Sequence, residues 1–177
     1  MTPRPGWRGK SRSPLILCPE VGRSTAVGRL PNASELLCAL GGRNLHGRLC
    51  HLAHDLADLH ALTYSRPSTD GSATKRRDEL IADINAWAAV HLPLPAVGAR
   101  AHRETLGDTI DRIAAVAARA FHLLMTDDPA GIRVHTAWTR LAELELAYGD
   151  LVRELDDGRR YLPRREPKPR PAPCHLP

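Results

Sequence analysis

Between residues 32 and 162 the apolar side chains recur at alternating intervals of three and four, the spacing that gathers them on one face of an α-helix. Asn32 or Ser34 can cap a short helix that runs through Leu40 and is interrupted by Gly41-Gly42. Leu45, Leu49, Leu52, Leu56 and Leu59 then form one stripe, predicting a first long helix over about 44–63. The polar run from Pro67 to Ser72 ends it. Leu80, Ile84 and Trp87 align on a second helix from about Thr74 to His91, stopped by Pro93 and Pro95. A third begins near Arg103 and carries Leu106, Ile110, Ile113, Ala117 and Phe121 or Leu124. A fourth follows Pro129-Ala130-Gly131, with Ala137, Leu141, Leu144, Tyr148, Leu151 and Leu155 on its stripe and Gly158 at its close. No apolar-polar alternation marks a strand. The pattern predicts an all-α, antiparallel bundle of about four helices plus the short N-terminal one.

Outside that span the composition changes. Residues 1–31 are rich in proline, glycine, arginine and serine without periodicity, and residues 163–177 alternate proline with charge, so both read as disordered tails around a bundle domain at 32–162. The net charge of +5 belongs to these ends: residues 1–31 hold six basic and one acidic residue, and residues 159–177 hold the same numbers. Residues 32–158 hold thirteen basic and eighteen acidic residues, so the bundle is acidic. Nucleic-acid contact is therefore an expectation for the tails alone, and a scarcity of aromatic residues removes stacking platforms for single strands. No apolar run approaches the length of a membrane span or of a signal-peptide core, which places the chain in the cytoplasm and away from membranes. The four cysteines have no metal-type spacing and read as reduced thiols.

Two groups of residues bear on chemistry. His51, His54, Asp55 and Asp58 share an arc of the first long helix, a spacing that holds a divalent ion if another helix adds ligands and otherwise makes a wet face of His-carboxylate pairs. The second group lies at the start of the third helix, where Glu104, Asp108 and Asp111 step by four and three. Early carboxylates favour the helix dipole, and Asp108 can pair with Arg112. A sharper expectation is that Glu104 and Asp111 cluster against a partly buried His60, with Gly107 admitting another backbone.

The segment His102-x-Glu104-Thr105-x-Gly107-x-x-Ile110-Asp111-Arg112 follows Leu59-His60 and the helix Arg77-x-x-Leu80-Ile81-x-x-Ile84-Asn85. These residues resemble an uncharacterised bacterial family, domain of unknown function 4254, over about residues 32–162. The resemblance implies the bundle boundaries and carries no activity. It singles out His60, Glu104, Thr105, Gly107, Asp111 and Arg112 as the candidate functional cluster.

Every strong signal is one of packing, so the leading expectation is a small helical interaction or regulatory protein with no cofactor, a monomer or homodimer that can take a protein partner. The alternative is a metal- or phosphate-ligand-binding bundle, or an enzyme, in which the carboxylates hold a divalent metal or act as a base and Arg112 grips an anion.

Overall fold

The computed structural model describes residues 29–65 and 71–164, except for the side chain of Ser65. Five helices are present among them: α1 (Ala33–Leu40), α2 (Gly47–Ser65), α3 (Ser72–His91), α4 (Leu106–Thr126) and α5 (Ile132–Asp156). The fold is all-α, as the periodicity predicts. The expected tails fall largely outside the described residues.

Each helix starts and stops where local chemistry requires it. The Asn32 side chain accepts from the Glu35 backbone N–H at 2.9 Å, and Glu35 accepts from the Asn32 N–H at 2.8 Å, closing a capping box on α1. Gly42, at φ +74°, turns the chain out of α1. It also lies under the His54 ring, since a Cβ there would sit 3.2 Å from that ring. α2 begins three residues later than the leucine stripe suggests, leaving Leu45 before the helix. α4 likewise starts at Leu106 rather than near Arg103, because Thr105 is its cap: the Thr105 hydroxyl oxygen accepts from the Asp108 N–H.

α4 is the hub, packed against α2, α3 and α5, while α1 lies against α2 and α5. Its small side chains make this possible, for Ala114, Ala117 and Ala120 are almost wholly enclosed beside Ile110 and Ile113. Pairs along the helices give their directions. Asp55 and Arg48 of α2 face Arg76 and Asp83 of α3, so these helices are antiparallel. Gly107 and Asp111 of α4 meet Asn85 and Arg77 of α3, again antiparallel. α2 and α4 therefore run the same way, with His60 near Asp111 and Tyr64 stacked on His122.

At the opposite side α5 buries Tyr148, whose phenol donates to the Pro31 carbonyl at 3.0 Å. Burial, then Cys50 and Glu35 nearby, push its pKa up, which keeps that proton in place. Cys50 is a free, buried thiol, pushed up by burial and by Glu35. Cys38 departs from the expectation of four reduced thiols, since it is disulfide-bonded.

One further departure matters for the site. Two short strands, β1 (Arg100–Ala101) and β2 (Arg160–Tyr161), pair in parallel, Arg100 with Arg160 and Ala101 with Tyr161. A two-residue strand is too short to show an alternating pattern, so periodicity could not find it. The pairing ties the residues after α5 to those before α4, and the His102 N–H donates to the Tyr161 carbonyl at 2.7 Å.

Candidate functional site: a three-helix ionic clamp beside a groove

Asp111 sits in the second turn of α4 with its side chain only 6% exposed. A lone carboxylate at that depth would be costly, and two other helices supply its partners. His60 Nε2 of α2 lies 2.9 Å from Oδ1. Arg77 of α3 donates through Nε to Oδ1 at 2.8 Å and through Nη2 to Oδ2 at 2.5 Å, a bidentate fork. Burial alone pushes the Asp111 carboxyl up. The hydrogen bonds from His60 and Arg77, with the Arg77 charge, outweigh it and bring the pKa down to about 2. The same bond raises the Arg77 pKa.

The nominated residues thus divide into parts with different jobs. His60 and Asp111 meet as expected. Glu104 does not join them: it accepts from Arg112 Nη2 at 2.9 Å, and this pair is about two-fifths exposed. Of the expected cluster, Asp111 alone bonds His60, while Glu104 pairs with Arg112 and lines the same shallow depression as Asp111. Arg112 reaches back two turns to Glu104 where a pairing with Asp108 was expected. Thr105 caps α4 and its hydroxyl donates to Asp108 Oδ2 at 2.7 Å. The Gly107 N–H donates to Asn85 Oδ1 at 2.8 Å, and a Cβ on Gly107 would stand 2.6 Å from the Ile81 carbonyl oxygen. Gly107 therefore admits another backbone, as the sequence suggests, and that backbone is α3.

Arg77 and Asn85 are the residues that sequence reasoning did not nominate. The signal was available, since Arg77 lies three and seven residues before Leu80 and Ile84 and so belongs to the edge of their buried stripe. A guanidinium at that edge requires a carboxylate.

The other nominated group stays apart. His54 Nε2 lies 3.5 Å from Asp58 Oδ2, whereas Asp55 faces Arg76 at 4.0 Å and His51 is exposed. Among the described residues no three or more His, Cys, Asp or Glu side chains are placed to hold a metal ion. No helix among them is long and apolar enough to cross a membrane.

Two depressions flank the clamp. The shallower lies over Arg77, Arg103, Glu104, Asp108, Asp111 and Arg112, where guanidinium and carboxylate charges balance. The larger is a groove of about 960 Å³ between α3, the turn at 92–96 and the segment 158–164. Ala82, Ala86, Ala89, Leu92, Leu155 and Tyr161 give it apolar walls, and Asp78 and Asp156 bring carboxylates to it. Asn85 touches both features, because it also lines the groove.

Residues 54–163, or 110 of the 177, match the family described as protein of unknown function (DUF4254). The match takes in most of α2, all of α3 to α5 and every residue of the clamp. No curated protein and no solved structure matches the chain. On the extent of that match, the chain belongs to the DUF4254 family, whose function is unknown.

Proposed function

We propose that this chain is a small helical interaction protein, in which the Glu-Thr-x-Gly-x-x-x-Asp-Arg segment clamps the helices and the adjacent groove receives a ligand or partner. The observation that carries this reading is the commitment of the Asp111 carboxylate to the fold. Both oxygens of Asp111 are engaged by His60 and Arg77, which hold it as a carboxylate and tie it to two other helices. A catalytic reading would use Asp111 to strengthen His60 as a base, and the bidentate Arg77 neutralises the charge that would do so. The balanced charges of the shallower cleft likewise give an anion little net attraction.

The groove has the properties that the clamp lacks. Its volume is of the size that takes a small molecule or a peptide segment, and its walls are apolar with a few polar groups. Val90 and Leu94 stand exposed at the end of α3 and the turn that follows.

Nile red, a neutral apolar dye, tests this on the folded chain. Saturable fluorescence enhancement is expected in the wild type. Ala86→Trp, on an exposed wall position, is expected to weaken it about tenfold or more by filling the groove, while Glu104→Gln leaves it unchanged. Dye binding indifferent to Ala86→Trp but lost with Glu104→Gln would reverse the assignment.

A further inference from the structure

Resting on the groove as the binding surface, we infer that it takes an extended, uncharged peptide segment of a protein partner, which pairs with the free edge of β2. The first support is backbone. β1 engages the Arg159 and Tyr161 carbonyls through the Arg100 and His102 N–H groups, at 2.9 and 2.7 Å. Backbone groups of successive residues in a strand turn to opposite edges, so those of Arg160 point away from β1. By that alternation Leu162, two residues on, falls on the same edge. Among the described residues neither Arg160 nor Leu162 has a backbone hydrogen-bond partner there, and both line the groove. A strand edge left open in this way is a template for another strand.

The wall opposite admits such a strand. α3 presents Ala82, Ala86 and Ala89 to the groove as exposed residues, and side chains this small leave depth for a backbone with apolar side chains at alternate positions. From Asp78 to Leu92 that wall is about 21 Å long at 1.5 Å per residue. At about 3.3 Å per residue, roughly six residues in a strand span it.

Charge says what the segment is not. Arg160 is paired with Glu154, and Arg164 stands in the lining with Asp78 and Asp156. With the signs mixed, neither a strongly acidic nor a strongly basic partner is favoured. Recognition therefore falls to backbone hydrogen bonds for affinity and to apolar side chains on the alanine wall for selection.

The probe is a set of terminally blocked peptides of about six residues, alternating serine with alanine, valine, leucine or isoleucine, added to the full-length chain loaded with Nile red. At least one is expected to displace the dye saturably, and Ala86→Trp is expected to weaken that peptide about tenfold or more. N-methylation of alternate peptide residues separates strand pairing from burial alone, because it removes the N–H groups of one peptide edge at a time. Methylating one edge should cost about tenfold or more in affinity and methylating the other little, as only one edge meets β2.

Equal losses from methylating either edge, or no displacement by any of the peptides at millimolar concentration, would overturn the inference. So would a wild type that dimerises in sedimentation while Ala86→Trp stays monomeric, since the edge then belongs to a second copy. If any of these is found while dye binding still depends on Ala86, the groove reading stands and only the peptide falls. If dye binding ignores Ala86, the groove reading itself fails.

Discussion

Asp111→Ala should lower the stability of the fold by about 3 kcal/mol at neutral pH, read as a reduced midpoint in urea with an unchanged slope. The size follows from what the substitution leaves behind. His60 and the bidentate fork of Arg77 both lose their acceptor, and three helices lose their shared tie. Arg77 is 44% exposed, so water recovers part of its charge, which holds the estimate at the lower end of the range for broken buried pairs. For a domain of this size that corresponds to a fall in melting temperature on the order of 10 °C.

The same variant has a pH signature. The Asp111 carboxyl titrates at about 2 in the fold against an ordinary 3.8, so its folded pKa is depressed. A depressed carboxyl contributes stability that is fully present above the ordinary pKa and is lost as pH falls through the folded one. The wild type should therefore lose about 2 kcal/mol of this contribution between pH ~4 and pH ~2. Asp111→Ala should lack that portion of the acid limb, which a urea series across the acid range measures.

The second large effect is expected from Gly107→Ala. On helix propensity alone this change stabilises by about 1 kcal/mol, since alanine replaces glycine inside α4. Packing reverses the sign. The new Cβ would lie 2.6 Å from the Ile81 carbonyl oxygen and 3.1 Å from Asn85 Nδ2, and the first of these is backbone that cannot rotate away. α3 and α4 must separate, which costs about 1–3 kcal/mol and weakens the Gly107 to Asn85 hydrogen bond as well. A net loss of about 2 kcal/mol is the expected outcome in chemical denaturation. A gain in stability would show that α3 and α4 are not in contact at this point.

These two sites mark how far the sequence could be read. Five helices were legible because their leucine, isoleucine and alanine stripes are long, and Asn32, Gly131 and Gly158 punctuate them. The role of Gly107 was legible too, since a glycine inside a helical stripe asks for a close neighbour. The partner of Asp111 was only half legible. His60 stands beside a leucine stripe and attracts attention, whereas Arg77 is one of three consecutive basic residues, 75–77, and only its spacing of three and seven to Leu80 and Ile84 sets it apart. The pairing of Glu104 with Arg112 was missed for a related reason. Its two-turn reach to Arg112 begins outside α4, where helical spacing no longer applies. The β1–β2 pair, joining residues sixty apart, left no periodic trace, and with it the groove's far wall went unread.

The account rests on Asp111 acting as the tie between helices, and a double-mutant cycle on Arg77 and Asp111 measures that most directly. Urea unfolding of wild type, Arg77→Ala, Asp111→Ala and the double variant gives the coupling. The double variant should be more stable than the sum of the single losses allows, with a coupling energy of at least about 1 kcal/mol. Additivity within about 0.5 kcal/mol, or an Asp111→Ala protein more stable than wild type as at a site strained for function, would contradict it.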